Sequence, residues 1–170
     1  MKKCFLILAL LCSPVFALAA PDAPAPQKQK QAPENWKKLF GRDLFNAEGK
    51  KVTLSKAIKK KYVAVYSSAS WCGPCRAFTP KLIEFYNQNK DKIDVVLIGS
   101  HHTKEDVCQY MKKYEMPWPG TYLTEATKDF FSRHRIEGIP DLRVFKQNGE
   151  LVISYGYDLR VVQKLLDGKQ

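Results

Sequence analysis

The features that most constrain the fold of this chain are two runs of strand-forming residues, Tyr62–Ser67 and Ile93–Gly99. Neither run alternates polar with apolar residues, so each suits a strand that is buried on both faces of a parallel sheet. The stretch between them predicts a helix over Cys75–Asn89, because apolar residues recur there at helical spacing. Two parallel strands joined by a helix predict an α/β architecture.

The rest of the chain continues this alternation of helices and strands. Thr103–Tyr114 predicts a helix that Thr103 caps, and Asn148-Gly149 is a hairpin signal. The further predicted elements are a short strand at Asp43–Asn46, a short helix at Leu54–Lys60, a loop at Glu115–Thr121, a helix at Glu125–Arg133, strands at Asp141–Phe145 and Leu151–Ser154, and a helix at Asp158–Leu166. The alternating part predicts parallel pairing and the hairpin adds antiparallel strands, so we expect a mixed central sheet with helices on both faces.

The first 19 residues have the pattern of a secretory signal peptide. A basic start precedes an apolar run over residues 4–20, and Ala17-Leu18-Ala19 supplies a cleavage site of small residues. We therefore predict a cut after residue 19 and export to the periplasm or out of the cell. The alternative is an uncleaved membrane anchor, but the run is shorter than the ~20 residues that span a bilayer, and it contains Pro14.

Two further segments follow the signal peptide. Residues 20–35 are rich in Pro, Gln, Lys and Ala and show no apolar periodicity, which is typical of a linker. Residues 36–170 have the length of one domain. The formal net charge of +11 would suit a nucleic-acid partner, but the lysine runs accompany no nucleic-acid-binding motif. We interpret them as solvated faces, exclude nucleic acid as a partner, and expect a monomer.

The chemistry of the chain is concentrated in Trp71-Cys72-Gly73-Pro74-Cys75, which follows the first buried run and opens the predicted helix. Two cysteines three positions apart lie on one side of a helix turn and can close a disulfide. Cys72 then lies at the helix N-terminus, where unpaired N–H groups and the helix dipole stabilise a thiolate. Arg76 adds positive charge nearby. Cys75 lies a turn deeper, so we predict that Cys72 attacks and Cys75 resolves.

Other interpretations of these cysteines stay open. A structural disulfide across two residues closes too small a loop to stabilise much, and a zinc site needs two more ligands of suitable spacing. A copper-handling module could use the cysteines with His101 and His102, and a redox-inactive adaptor could keep the fold for binding. The redox interpretation needs no cofactor and no metal, because the cysteines themselves cycle. Cys108 is expected to pack as a small hydrophobe on its helix.

At these residues the chain resembles the thioredoxin superfamily, and within it the tryparedoxin and nucleoredoxin branch. The resemblance covers about Leu39–Leu166. The other segments that carry it are Ser68-Ala69-Ser70, Phe78-Thr79-Pro80-Lys81-Leu82, Met116-Pro117-Trp118 and Gly138-Ile139-Pro140. The Gly73-Pro74 dipeptide is that of thioredoxin, whereas the tryparedoxin branch usually has Pro-Pro there.

The resemblance implies a thioredoxin-like three-layer fold and a thiol–disulfide oxidoreductase that acts on protein disulfides or dithiols. It also implies that Pro140 faces Cys72 and follows a cis Ile139–Pro140 bond. The backbone of Ile139 would then be free to pair with an extended substrate chain.

The chain departs from thioredoxin at Tyr66, which stands where thioredoxin has a buried Asp that helps to move the proton of the resolving cysteine. The proton acceptor for Cys75 is therefore undefined by the resemblance. Asp141 is one candidate, but we expect it to pair with Arg143 on the same strand face.

The dipeptide between the cysteines also bears on the direction of electron flow. Gly73-Pro74 contains no His that would further stabilise the Cys72 thiolate. A less stabilised thiolate means a less stable reduced form, and so a more reducing couple. We expect a reductant or isomerising agent rather than an oxidant. Its electron donor is not identified by the sequence, and a membrane reductase is one candidate.

Overall fold

A computed structural model describes residues 32–41, 43–155 and 157–169. The predicted signal peptide and residues 20–31 of the predicted linker lie outside the described residues. Two residues assigned to that linker belong to the folded domain instead, because Glu34 is 6% exposed and the Asn35 side chain caps the first helix. Within the described ranges, no helix is both long enough and apolar enough to cross a membrane.

Helices and strands alternate along the described residues. The helices are α1 (Trp36–Phe40), α2 (Leu54–Ala57), α3 (Gly73–Asn89), α4 (Lys104–Lys113), α5 (Glu125–Arg133) and α6 (Leu159–Leu166). The strands are β1 (Tyr62–Ser68), β2 (Ile93–Gly99), β3 (Gly120–Thr121), β4 (Asp141–Lys146) and β5 (Leu151–Ile153). The two buried runs of the sequence form β1 and β2, and most other elements lie close to their predicted bounds.

Three predicted segments differ from the structure. The predicted loop Glu115–Thr121 contains β3, which is too short to show a periodic pattern. The predicted strand Asp43–Asn46 is reduced to an isolated bridge at Phe45. The predicted helix Leu54–Lys60 ends at Ala57, because the backbone N–H groups of the following lysines donate to the Asp94 carboxylate instead of continuing the helix.

The five strands form one sheet in the order β3-β2-β1-β4-β5. β1 pairs parallel with β2, and β2 pairs parallel with β3. β4 pairs antiparallel with both β1 and β5. This mixed sheet confirms the predicted architecture, and it places β1 at the centre, where strands cover both of its edges.

Alternate residues of β1 enter two separate cores, one on each face of the sheet. Tyr62, Ala64 and Tyr66 pack against α3, α4 and α6, whereas Val63 and Val65 pack against α1 and α5. All five side chains are at most 8% exposed. The helices on both faces therefore explain why this strand carries no polar alternation.

A buried ionic cluster attaches the start of the domain to α5. The Glu34 carboxylate accepts hydrogen bonds from Arg133 and, over 2.6 Å, from His134 Nε2. The Glu34 N–H donates to Gly149 O over 2.7 Å. Burial alone would raise the pKa of Glu34, but the hydrogen bonds from His134 and Arg133 outweigh it and hold the pKa below its ordinary value of 4.5.

We predict that Glu34→Gln lowers the free energy of unfolding by about 1–3 kcal/mol, because it removes a buried charged acceptor from two donors. The carboxylate stabilises the fold above the ordinary pKa of 4.5, and this contribution is lost as the pH falls through the lowered folded value. The difference between the two proteins should therefore shrink in acid. Urea unfolding at pH 7 and at lower pH measures it.

The control is Glu125→Gln, which removes a carboxylate whose side chain is 90% exposed beside Lys128. Its effect should stay within about 0.5 kcal/mol. Equal effects of the two substitutions would contradict a stabilising role for the buried cluster.

Candidate functional site

The disulfide between Cys72 and Cys75 lies where β1 passes into α3. A turn closed by a hydrogen bond from Cys72 N–H to Ala69 O (3.2 Å) connects the two elements. Cys72 is the N-cap of α3, and its Sγ accepts the N–H of Cys75 over 3.1 Å. Pro74 lies in the first turn, where its missing N–H costs little. The sulfur of Cys72 thus occupies the position in which a helix N-terminus stabilises negative charge.

The two sulfurs differ in their access to solvent. Cys72 is 6% exposed, whereas Cys75 is completely buried. The neighbouring Trp71 is 66% exposed, and Gly73, Pro74 and Arg76 are also exposed. A Cβ atom built on Gly73 would meet no described atom within 4 Å. An approaching partner therefore reaches Cys72 before Cys75.

A second loop meets Cys72 from the side of β4. The carbonyl oxygen of Ile139 lies 3.6 Å from Cys72 Sγ. The Ile139–Pro140 peptide bond is cis, and Pro140 is buried. Ala69, the two cysteines and Ile139 form a small apolar cluster of their own. The structure thus brings together the residues that the sequence resemblance placed at one site.

A groove of about 480 Å³ begins at this loop and runs along Gly138–Asp141 towards two tyrosines, Tyr155 and Tyr157. At its base Arg143 Nε donates to Asp141 Oδ1 over 2.9 Å, and both residues are buried. This pairing was expected from the sequence, and burial raises the pKa of Asp141. Asp141 is thus engaged with Arg143 rather than with the disulfide.

No sequence motif marks the two tyrosines of this groove. The Tyr155 ring covers the Arg143 guanidinium at 5.2 Å from the ring centroid, and Tyr157 packs edge-on against Phe78 of α3. They are 67% and 43% exposed. They follow the last strand without any periodic pattern, so only their aromatic character marks them as candidates for a binding surface.

Four buried hydroxyl groups lie beneath Cys75 and form what we call the hydroxyl ring, made of Tyr66, Ser68, Thr79 and Tyr110. Each of its four oxygen–oxygen distances is 2.9 Å. The Cys75 carbonyl oxygen accepts from Thr79 Oγ1 at 2.9 Å and lies 3.3 Å from Tyr66 Oη. β1, α3 and α4 each supply part of the ring, which therefore fixes the backbone of the second cysteine.

The hydroxyl ring is uncharged and does not act as a base. All four hydroxyl protons have acceptors within the ring or at Cys75: Ser68 donates to Tyr66, Tyr66 to Thr79, Thr79 to Cys75 O, and Tyr110 to either Ser68 or Thr79. Burial raises the pKa of Tyr66 far above its ordinary value, so its hydroxyl stays protonated. Tyr66 therefore does not act as the carboxylate of thioredoxin does.

The two histidines considered for metal binding separate in the structure. His101 is buried, and its Nε2 lies 2.9 Å from Ser70 Oγ and 3.2 Å from Ser70 N, whereas His102 is exposed. The described residues contain no group of three or more His, Cys, Asp or Glu side chains arranged to hold a metal ion. The copper-handling alternative thus has no complete ligand set among the described residues.

Cys108 is half-buried and packs against the edge of the core, in line with the expectation from the sequence. Its Sγ lies 3.8 Å from Asn46 O, and burial raises the pKa of its thiol. Its surroundings on α4 are distinct from the small apolar cluster that contains the disulfide.

Comparison with known proteins agrees with this fold and site. A profile of the thioredoxin-like family matches residues 60–151, more than half of the chain. Probable nucleoredoxin 1 of Arabidopsis thaliana is 33% identical over 117 residues, which are 66% of this chain and 20% of that protein. Thioredoxin of Wuchereria bancrofti superposes with a TM-score of 0.63 at 31% identity, over 76% of this chain and 97% of that one. For tryparedoxin I of Crithidia fasciculata the TM-score is 0.62 at 30% identity, over 77% and 92% of the two chains.

A mixed five-stranded sheet with helices on both faces, and a Cys-Gly-Pro-Cys disulfide at the start of a helix, define a dithiol–disulfide protein of the thioredoxin fold. The chain belongs to the thioredoxin-like family. Its similarity to nucleoredoxins and tryparedoxins confirms the branch that the sequence motifs indicated. The chain spans only 20% to 29% of the length of the first curated relatives that it matches.

We predict that Tyr66→Phe lowers the free energy of unfolding of the oxidised protein by about 1–2 kcal/mol. The change removes one hydroxyl from the ring and leaves the aromatic packing in place. Urea unfolding followed by tryptophan fluorescence measures the effect. Tyr155→Phe is the matched control, because that ring is 67% exposed and keeps its contact with Arg143 without the hydroxyl. A Tyr66→Phe protein as stable as the control would show that the ring does not stabilise the site.

Proposed function

We propose that this protein is an exported thiol–disulfide oxidoreductase that exchanges disulfides with other proteins through Cys72 and Cys75. The observation that supports this most is the asymmetry of the pair. Cys72 caps α3 and retains some exposure, whereas Cys75 is buried one turn further in. A nucleophile needs access and a stabilised thiolate, and a resolving group needs only to reach its neighbour.

In the proposed reaction the reduced protein donates two electrons to a substrate disulfide. The Cys72 thiolate attacks one substrate sulfur, an S–S bond forms between them, and the other substrate sulfur leaves as a thiolate. Cys75 then loses its proton and attacks Cys72 Sγ, which forms the internal disulfide and releases the second substrate sulfur as a thiolate. The released thiolates take up protons, so the substrate ends as a dithiol.

The helix supplies the electrostatic assistance for the first step. The N–H of Cys75 already points at Cys72 Sγ, and it would donate to the thiolate of the reduced form. Asp141, the buried carboxylate that follows Pro140, has its two oxygens bonded to Arg143. We therefore assign the proton of Cys75 to the leaving substrate thiolate or to solvent.

The groove beside Ile139 is the proposed docking surface for the substrate. An extended chain could pair with the Ile139 backbone, whose carbonyl lies 3.6 Å from Cys72 Sγ. Side chains that flank the target cysteine would then lie along the wall formed by Tyr155 and Tyr157. Exposed aromatic rings of this kind supply contact area to many partners without demanding one sequence.

We further propose that the protein works as a reductant, as a monomer, in the periplasm or outside the cell. The reductant assignment rests on the dipeptide Gly73-Pro74, which adds no cation to the thiolate. The location rests on the signal-peptide pattern of residues 1–19. A reductant in an oxidising compartment requires a supply of electrons, and a membrane reductase would provide it.

We predict that Cys75→Ser, produced with its own leader, accumulates mixed disulfides with exported proteins, because the second attack cannot occur. Non-reducing electrophoresis and mass spectrometry of the adducts measure this and identify the clients. Cys108→Ser is the control and should trap nothing beyond the parent protein. Adducts that persist in Cys72→Ser/Cys75→Ser would overturn the assignment of the nucleophile.

We predict that the Cys72/Cys75 couple has a potential near the thioredoxin value of about −270 mV, not near the value of about −120 mV of a strong periplasmic oxidant. Glutathione titration followed by Trp71 fluorescence measures it. Pro74→His should raise the redox potential, because an imidazolium beside Cys72 stabilises the thiolate. Pro74→Ala is the control, because it removes the proline ring without adding a cation. A parent potential above about −180 mV would contradict the reductant role.

A further inference from the structure

His101 holds the turn that carries the active-site sulfur, although it lies on a different loop. It follows the end of β2, and its carbonyl accepts the N–H of Leu123 over 3.1 Å. Its ring reaches Ser70, whose backbone N–H lies 3.2 Å from Nε2 and whose hydroxyl lies 2.9 Å from the same atom. The side chain is well buried, with the whole residue 7% exposed.

Ser70 is the centre of the turn that ends in the N-cap of α3. The hydrogen bond from Cys72 N–H to Ala69 O closes this turn around Ser70 and Trp71. A contact that fixes Ser70 therefore also fixes the direction from which Cys72 enters the helix. The imidazole is the one side chain that the described structure shows bonded to the Ser70 N–H.

The hydrogen-bond pattern determines the state of the imidazole. A backbone N–H can only donate, so Nε2 of His101 must present its lone pair, and the ring proton lies on Nδ1. Nδ1 is buried and has no partner among the described residues. The ring must therefore be neutral to accept the Ser70 N–H, whereas a protonated Nε2 could only donate, to the Ser70 hydroxyl oxygen.

The groups that face His101 come from α4, from the turn and from its own loop. Burial lowers the pKa of His101, Asp106 of α4 opposes this, and the adjacent His102 adds to it. The Tyr110 ring packs against the imidazole at a centroid distance of 5.8 Å. The turn contributes the uncharged Ser70. As the pH falls through the lowered value, Nε2 takes up a proton and can no longer accept the Ser70 N–H.

We propose that neutral His101 is a positioning residue for disulfide exchange, which holds the turn at Ser70 and thereby the Cys72 sulfur in its reactive geometry, and that protonation of His101 breaks the hydrogen bond from the Ser70 N–H and so loosens this turn. The inference rests on the proposed function for its biological meaning and on the contacts of His101 for its mechanism. Acid then slows the reaction in two ways, since it protonates Cys72 and also loosens the turn.

The first test uses the parent protein, so it does not depend on the folding of a variant. Nuclear magnetic resonance follows the Ser70 amide and the His101 ring carbon protons between about pH 7 and pH 4. The expected result is that the Ser70 amide shifts with the same midpoint as the His101 ring, in both the oxidised and the reduced protein. A Ser70 amide that does not follow the ring would overturn the proposal.

The second test measures the reactivity of the reduced thiolate in a Cys108→Ser background, with iodoacetamide as the probe. The rate of Cys72 alkylation is divided by the thiolate fraction, which ultraviolet absorbance gives at each pH. For the parent, this normalised rate should fall about tenfold as His101 becomes protonated, the equivalent of one lost hydrogen bond. A normalised rate that does not change with pH would contradict the proposal.

Three substitutions distinguish the hydrogen-bond acceptor of His101 from the bulk of its imidazole. His101→Gln keeps an oxygen that can accept from Ser70 but does not titrate, so its normalised rate should stay high at every pH. His101→Phe keeps the shape without the acceptor, so its rate should be low at every pH. His102→Gln, on an exposed neighbour, should keep the parent profile. Equal rates for the Gln and Phe variants would refute the role of the hydrogen bond.

Alkylation needs no partner protein and no disulfide substrate. If the protein fails to reduce insulin in the presence of dithiothreitol, the proposed function fails while these measurements still decide the role of His101. If insulin reduction succeeds and the titrations of Ser70 and His101 are unrelated, the positioning role alone is wrong.

Discussion

The contact on which the site depends is the N-cap of α3, where Cys75 N–H donates to Cys72 Sγ over 3.1 Å. This bond needs a helix that begins at residue 73 and a cysteine whose backbone is still extended, and Cys72 has φ −80° and ψ 110°. The buried strand β1 fixes the start of the helix, since strands pair with both of its edges. Cys72 Sγ thus contacts both the Cys75 N–H of the helix and the carbonyl oxygen of Ile139.

The architecture could be predicted from the sequence because its main strands are buried on both faces. Tyr62–Ser67 and Ile93–Gly99 consist mostly of strand-forming apolar residues and show no alternation of polar with apolar positions, a pattern typical of buried strands. The cysteine motif could be placed for a similar reason, since its Gly-Pro pair marks the junction of strand and helix. The Asp141–Arg143 pair was predictable from strand periodicity, because alternate residues share one face.

The remaining features depend on contacts between residues distant in sequence, which no local pattern records. The hydroxyl ring joins Tyr66 and Ser68 to Thr79 and Tyr110, and only the packing of α4 on β1 brings them together. His101 looked like one half of a histidine pair, yet its partner is Ser70 of another loop. Glu34 looked like part of a linker because its acceptor role depends on α5, 99 residues later. A hydroxyl within an apolar strand is the one sequence signal that hints at such a ring.

The glycine between the cysteines has a consequence for how this protein can change over evolution. A side chain at position 73 would point away from the core and meet no described atom within 4 Å. Substitutions there are thus free of the packing cost that restricts residues such as Cys75 or Thr79, both completely buried. Selection can therefore alter the affinity of the Cys72–Cys75 disulfide for electrons by changing the exposed residue at position 73. The fold on which the chemistry depends would not change.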